Sequence, residues 1–194
     1  CIALREALGP DTDLYLDANR GWSASEALGV ARACAGLNLL YLEEPCDAHE
    51  LLGRKRLVTE SPLTIMADES VPTLGDVARE LIDGGASAIS IKTARSGFTE
   101  SQKILGLCEG LGVDVMMGNQ IDSMLGSAAT VAFGAAFELS SRRAAELSNF
   151  LEFGDYLITE PLVIEDGRVV APQNPGLGVT LDDDKLATYR LDKD

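Results

Sequence analysis

The sequence predicts an α/β fold in which parallel strands alternate with helices, as they do in a (β/α) barrel. Short apolar runs rich in β-branched residues alternate with amphipathic stretches of helical length, and this repeated order implies parallel strands joined by helical crossovers. Residues that end successive strands also recur with a regular period. Asp17 to Glu43 is 26 residues, Glu43 to Asp68 is 25 and Asp68 to Lys92 is 24, which is the length of one strand, one helix and their loops.

The first elements are marked by both apolar runs and helix caps. Ser23 and Glu26 form a capping-box pattern at the start of a helix over 23–35. Thr73 is the N-cap candidate of a later helix, which ends at Gly84 and Gly85. The predicted strands cover residues 14–16, 39–42, 63–67, 88–91 and 113–117.

The remaining elements complete about six β/α units, whereas a closed barrel of this type has eight. A helix over 99–111 ends at Gly112, and an Ala-rich segment over 123–137 is apolar nearly all round, so we expect it to be well buried. A further strand is predicted over 144–147. Beyond residue 149 the alternation of strands and helices ends, and Asp166-Gly167 predicts a hairpin turn between short strands.

Composition excludes several classes of function. The chain has 194 residues with 16 Lys and Arg against 31 Asp and Glu, a net charge of −15, which argues against a nucleic-acid-binding face. No apolar run approaches the ~20 residues of a membrane span, and we see no signal-peptide pattern. Four separated cysteines without a CxxC motif lead us to expect a reduced, cytoplasmic compartment.

Three carboxylates end three successive predicted strands. In a (β/α) barrel the carboxyl ends of the strands form one rim, where catalytic groups lie, and neighbouring strands stand about 4.8 Å apart. Asp17, Glu43 and Asp68 can therefore converge on one point, and three like charges so close require a cation such as Mg²⁺, which prefers oxygen ligands. Each acid taken singly could instead be a solvated loop residue, because most carboxylates are exposed.

Lys92 ends the next predicted strand. Beside a divalent cation its proton affinity should be lowered, so that it could act as a base near neutral pH. A lysine that binds a phosphate or carboxylate, or one that simply pairs with the acids, explains the spacing equally well. A metal-bound carboxylate with a lysine alongside suits removal of the proton on the carbon next to that carboxylate.

At these residues the sequence resembles a known family. The matching segments are LDANRGW around Asp17, YLEEP around Glu43, MADES around Asp68, SIKTARSG around Lys92, and PGLGV near the end. Their order and spacing are similar to the C-terminal barrel of the mandelate racemase/muconate lactonizing enzyme group of the enolase superfamily. The resemblance implies that the three acids bind an essential Mg²⁺, that Lys92 is an acid/base lysine, and that Asn19 lies just behind the metal ligands.

The same resemblance bears on the subgroup and on weaker site residues. DES followed by a lysine favours the muconate lactonizing subgroup, because the mandelate racemase subgroup carries a His–Asp pair in later strands. The only histidine, His49, we expect to be a surface or structural residue. The resemblance implies that Asp122 and Glu146 face the substrate, although a helix-capping or loop role is an equal alternative for each.

The sequence also departs from the family pattern. Such enzymes carry an N-terminal capping domain and a Lys-x-Lys motif well before the first metal ligand, whereas here 16 residues precede Asp17 and none is lysine. We therefore expect residues 1–194 to be a partial catalytic barrel domain, about strands three to eight. We expect residues 150–194 to return towards the missing capping domain.

The leading hypothesis is a Mg²⁺-dependent, muconate cycloisomerase-like (lactonizing) enzyme acting on a small carboxylate substrate. A dipeptide epimerase, another amino-acid racemase or an o-succinylbenzoate synthase of the same superfamily would share these ligands. From a different class, the chain could be a truncated, inert barrel fragment that survives only in association with another chain or with its own missing half. A nonenzymatic sugar- or peptide-binding barrel explains the three carboxylates poorly. We expect no nucleic acid or membrane partner, and assembly into a homo-oligomer is left open.

Overall fold

The fold is built on a sheet of five strands, seen in a computed structural model that describes residues 1–192. The strands are β1 (Leu14–Asp17), β2 (Leu39–Glu43), β3 (Ile65–Ala67), β4 (Ala88–Ile91) and β5 (Asp114–Met117). Strands adjacent in sequence are adjacent in the sheet, and the pairs β1–β2, β2–β3 and β3–β4 are parallel. Parallel pairing of consecutive strands requires a crossover between them, as the alternating sequence predicts.

Helices form these crossovers. They are α2 (Ala24–Ala33), α3 (Leu51–Glu60), α4 (Leu74–Asp83) and α5 (Thr93–Leu111), while α1 (Ile2–Leu8) precedes β1 and α6 (Met124–Ala136) follows β5. The predicted caps are confirmed: the Ser23 side chain accepts from the backbone of Glu26 and Glu26 reciprocates, while Thr73 caps α4 through Asp76. Gly84 ends α4 in the left-handed conformation at φ 74°.

The C-terminal part consists of short elements. It contains α7 (Glu138–Ser141), a 3₁₀ turn (Ser148–Glu152), β6 (Ile164–Glu165), β7 (Arg168–Val169) and α8 (Asp183–Tyr189). β6 and β7 pair as an antiparallel hairpin. Asp166 and Gly167 join them with φ values of 49° and 73°, which confirms the predicted hairpin turn.

The chain folds into two compact units. The first contains Cys1–Ser90 and Gln102–Val115, and the second contains Ile91–Ser101 and residues 116–192. The core of the first unit is formed by aliphatic side chains of α2, β2, α3 and β3, among them Leu28, Leu42, Leu57 and Ile65. The core of the second unit gathers Met124, Ala128, Phe150, Ile158 and Leu162.

One predicted strand is absent from the part of the chain that the structure describes, and one predicted helix has an additional short helix before it. The predicted strand over 144–147 is wrong: only the backbone N–H of Glu146 reaches β5, donating to the Met117 carbonyl over 2.9 Å. A 3₁₀ turn follows this segment at Ser148. The helix predicted over 99–111 is confirmed as the part of α5 that follows a kink at Gly97, where φ is 67° and ψ is 172°, and a short helical stretch from Thr93 precedes that kink.

No helix within residues 1–192 combines the length and apolar character that crossing a membrane requires.

Candidate metal site and its surroundings

The three strand-end acids lie at the same end of neighbouring strands in the first unit. Asp17 and Glu43 are direct partners in the β1–β2 register, and Asp68 follows Ala67, the last residue of β3. The backbone continues to pair beyond the strands, since the Ala18 N–H donates to the Glu43 carbonyl over 3.1 Å. The structure therefore places these backbones side by side, where the sequence spacing predicts them.

The surroundings of the three carboxylates differ. Glu43 and Asp68 are buried, with exposed fractions of 2% and 1%, while Asp17 is exposed. Asp17 accepts two hydrogen bonds from Asn19, one from the backbone N–H over 2.9 Å and one from Nδ2 over 2.8 Å. Asn19 thus lies against Asp17, which is the contact expected of a residue that orients this carboxylate.

The three acids fit Mg²⁺ in ligand chemistry and in backbone position. Carboxylate oxygens are the ligands that this small, hard cation prefers. Their side chains are not closed around a common point, because no three His, Cys, Asp or Glu side chains in residues 1–192 form a group that could hold a metal ion. Carboxylates brought to ligand distance repel one another unless a cation lies between them. A bound Mg²⁺ would therefore have to draw these side chains together.

A buried network stands directly beside two of these acids. Glu44, fully buried at 0% exposure, follows Glu43, and Arg54 of α3 donates to its Oε1 over 2.9 Å. Arg54 also pairs with Glu80 of α4 over 3.1 Å. Burial disfavours the charged guanidinium, but Glu44 and Glu80 outweigh that effect and hold the pKa of Arg54 above its ordinary value. Sequence reasoning missed Arg54, whose only signal is its place three residues before the buried Leu57 on one helix face.

Lys92 follows β4 and belongs to the second unit. Its side chain is half-buried, and its carbonyl accepts from the backbone N–H of Arg95 and of Ser96, over 3.0 and 3.2 Å. The first turn of α5 therefore fixes the backbone of Lys92. Thr93 is held in the same turn by a 2.7 Å hydrogen bond between its hydroxyl and that of Thr130 in α6.

Asp122 and Glu146 meet around one residue that sequence reasoning missed. Asn119 lies two residues beyond β5, and its backbone N–H donates to Glu146 Oε2 over 3.2 Å. Its Oδ1 accepts from the Asp122 N–H over 2.8 Å. Asp122 Oδ2 and Asn119 Nδ2 are both buried without a hydrogen-bond partner in the structure. The signal for Asn119 is its place just after a strand, shared with the three acids.

Burial raises the pKa of the Asp122 carboxyl above its ordinary value of 3.8, against the opposing pull of the Gln120 backbone and the Lys92 charge.

The buried thiols of Cys46 and Cys108 and the side chain of His49 are poor candidates for catalysis. Burial raises the pKa of Cys46 to about 11 and that of Cys108 to about 12, so both thiols stay protonated at neutral pH and are poor nucleophiles. His49 is a surface residue, as expected, with a side chain 97% exposed beside Asp47.

Known proteins resemble this chain over nearly its whole length. Residues 1–185 match the family described as enolase C-terminal domain-like. Muconate cycloisomerase 1 of Pseudomonas putida is 29% identical over 97% of this chain and 50% of its own length. N-succinylamino acid racemase of Amycolatopsis sp is 32% identical over 91% of this chain and 48% of its own length.

A solved structure gives a closer likeness. The muconate lactonizing enzyme from Mucobacterium Smegmatis complexed with muconolactone is 55% identical, with a TM-score of 0.95 over 98% of this chain and 52% of that chain. This likeness confirms the predicted α/β fold of the enolase C-terminal type. The chain spans about half the length of the relatives that it matches. On the match over residues 1–185, the chain belongs to the enolase C-terminal domain-like family.

Proposed function

We propose that this chain is the metal-binding and proton-transferring part of a Mg²⁺-dependent enzyme that acts next to a carboxylate, of the muconate cycloisomerase (lactonizing) type. The observation that carries the proposal is the side-by-side placement of Asp17 and Glu43, with Asp68 at the end of the next strand. The likeness to a muconate lactonizing enzyme complexed with muconolactone supports a lactone as the probe substrate.

Each residue has a distinct role in this proposal. Asp17, Glu43 and Asp68 would hold Mg²⁺, with Asn19 orienting Asp17 through its two hydrogen bonds. Mg²⁺ when bound would withdraw electron density from the substrate carboxylate and so acidify the proton on the neighbouring carbon. Asp122 and Glu146 would act on the substrate side by fixing Asn119 from two directions.

Lys92 moves the proton. In the direction of lactone opening, Lys92 Nζ accepts the proton from the carbon next to the carboxylate, and the electron pair left behind forms the carbon–carbon double bond as the ring C–O bond breaks. In the direction of closure the oxygen adds to that double bond and Lys92 returns the proton to the same carbon. The assignment rests on the position of Lys92 directly after β4 and on the family to which the chain belongs.

A racemase or epimerase is the second candidate, favoured by the 32% identity to N-succinylamino acid racemase. Removal of the same kind of proton from one face of the carbon next to the carboxylate, and delivery of a proton to its opposite face by a second acid, would invert that carbon without breaking a C–O bond. Comparison of muconolactone with N-succinyl amino acids as substrates separates the two functions.

The proposal extends to the compartment, the domain and the partners of the chain. We place the chain in the cytoplasm as part of a barrel domain that acts on a small carboxylate. We propose that residues 150–194, of which 193 and 194 lie outside the described residues, approach a capping domain. Nucleic acid and membrane lie outside the proposed partners.

The decisive experiment replaces Lys92 in the protein as it is naturally expressed. Lys92→Ala should slow exchange of the proton next to the carboxylate of muconolactone in D₂O, followed by ¹H NMR, by about 10²–10⁴-fold, the usual contribution of a positioned acid/base group. Lys103→Ala, an exposed change on α5, should leave the exchange rate as in the wild type. Undiminished exchange in Lys92→Ala would show that another group moves the proton.

A further inference from the structure

The Arg54 guanidinium joins four segments inside the first unit. It is 2% exposed, and it contacts Glu44 Oε1 at 2.9 Å and the Cys46 carbonyl at 2.7 Å. It also contacts the Ser70 hydroxyl at 3.2 Å and the Glu80 carboxylate at 3.1 Å. These groups come from the loop after β2, the loop after β3 and helix α4, while Arg54 itself comes from α3. One side chain thus ties the ends of two strands to two helices.

Glu44 connects the Arg54 network to the proposed metal ligands. Its second oxygen, Oε2, accepts from the backbone N–H of Asp68 over 2.6 Å. The same oxygen accepts from the Ser70 backbone N–H over 3.1 Å and from the Ser70 hydroxyl over 2.8 Å. Glu44 is the neighbour of Glu43, so its carboxylate links the backbone of one proposed ligand to the backbone of the next.

The backbone at Glu44 is itself bent into the left-handed region, at φ 33°, which is unfavourable for a residue with a side chain. With the backbone in this conformation, the Glu44 side chain is buried, as is that of Glu43 before it. The two oxygens of the Glu44 carboxylate accept hydrogen bonds from different segments: Oε1 accepts from Arg54, and Oε2 accepts from the backbone N–H of Asp68.

Fold stability alone does not account for such a network. Replacing a buried ion pair by well-packed apolar side chains is often neutral or stabilising, so buried charge is weak evidence of a stabilising role. Hydrogen bonds are directional, so a network of them fixes the separation of the backbones that it joins. Apolar contacts are not directional and define that separation less closely.

We propose that Arg54 and Glu44, braced by Glu80, are positioning residues that hold the backbones of Glu43 and Asp68 at the separation a shared Mg²⁺ requires. This inference rests on the proposed function, since it assigns the network to the same metal site. None of the three residues touches the metal in this account; they act through the ligands beside them.

The test uses Glu44→Gln, Arg54→Lys and the double variant Glu44→Gln/Arg54→Met in the naturally expressed protein. Mg²⁺ affinity is measured by isothermal titration calorimetry, and exchange of the Asp68 and Ser70 amide hydrogens is measured by NMR without Mg²⁺. Each is recorded at a temperature where circular dichroism shows the variant fully folded. Arg56→Met is the matched control, because Arg56 lies on the same helix, is 65% exposed and pairs only on the surface with Glu60.

We expect Glu44→Gln and the double variant to weaken Mg²⁺ binding by about 10–100-fold, as loss of residues behind metal ligands usually does. The Asp68 and Ser70 amides should exchange faster, while Arg56→Met changes neither quantity. Arg54→Lys keeps the charge but cannot reach all four partners, so its Mg²⁺ affinity should fall between those of the wild type and the double variant.

The outcomes are distinguishable. Failure of the wild type to bind Mg²⁺ overturns the proposed function and this inference with it. Wild-type binding together with unchanged affinity in folded Glu44→Gln overturns the positioning role alone and leaves the proposed function standing. If Glu44→Gln does not fold because it removes one of the two carboxylates that pair with Arg54, the Mg²⁺ affinities of the double variant and of Arg54→Lys decide whether the positioning role holds.

Discussion

Several individual residues after the strands adopt a backbone conformation that L-amino acids disfavour. Asn19 and Arg20 follow β1 with φ values of 44° and 61°, Glu44 follows β2 at 33°, and Ile121 lies beyond β5 at 57°. Such positions cost on the order of 1–3 kcal/mol each and persist where surrounding contacts enforce them. Here the contacts include the Arg20 N–H, which donates to the Glu44 carbonyl over 2.7 Å. The concentration of this strain at the strand ends agrees with a functional rather than a purely structural use.

Asp122 yields a prediction on the pH dependence of stability. Because burial raises its pKa above 3.8 in the folded protein, the unfolded chain loses this proton first as pH rises. Stability is therefore lost as pH rises from the ordinary value through the folded pKa, by about 1.4 kcal/mol for each unit of difference. Asp122→Asn removes this loss.

Urea unfolding of wild type and Asp122→Asn between about pH 4 and pH 7 measures the effect. The free energy of unfolding of the variant, relative to the wild type, should grow over the lower part of this range and then level off. A difference that stays constant across the range would contradict the burial of an acid with a raised pKa.

Local sequence predicts helix ends better than it predicts strands. The caps of α2 and α4 could be read directly, because a Ser or Thr side chain bonds to a backbone N–H three residues ahead, within the same short segment. The strand over 144–147 was wrongly predicted because a strand needs a partner ladder, and the Glu146 N–H is the single backbone group that donates to β5 in this segment. Pairing across distant segments is not encoded in a short window of sequence.

The contact between α2 and α3 gives a prediction at the level of elements. A Cβ added to Gly53 of α3 would lie 2.7 Å from the Cβ of Ala24 in α2, closer than two such atoms can approach. Gly53→Ala should therefore force the helices apart and lower the free energy of unfolding by about 1–3 kcal/mol.

Gly29→Ala on the exposed side of α2 is the control, because an added Cβ there meets nothing within 4 Å. It should raise stability by about 0.5–1 kcal/mol, since alanine loses less conformational entropy in a helix than glycine. Urea denaturation of both variants provides the measurement. Equal effects of the two substitutions would rule out a close approach of α2 and α3.

At the scale of the whole molecule, the net charge of −15 means that any cation screens repulsion among the acids. A specific Mg²⁺ site should add stabilisation beyond screening, about 2.7 kcal/mol at a concentration 100-fold above its dissociation constant. For a chain of this size that corresponds to a rise in Tm of about 5–10 °C.

Thermal unfolding in MgCl₂ and in NaCl of equal ionic strength separates these effects. Glu43→Gln changes the net charge by only one unit and should abolish the part of the Tm shift that is specific to Mg²⁺. The same Mg²⁺-specific shift in Glu43→Gln as in wild type would mean that the cation binds elsewhere.

The sequence by itself determined the α/β class, the order of strands and helices, and the strand-end positions of Asp17, Glu43 and Asp68. These follow from periodicity, caps and spacing, which are local properties of the chain. The tertiary structure alone decided that Arg54 and Glu44 form a buried ion pair, and that Asn119 joins Asp122 to Glu146. Those contacts join segments as far apart as 27 residues. Their partners are selected by which helix faces and loops become buried together, and that depends on the folded backbone rather than on any short stretch of sequence.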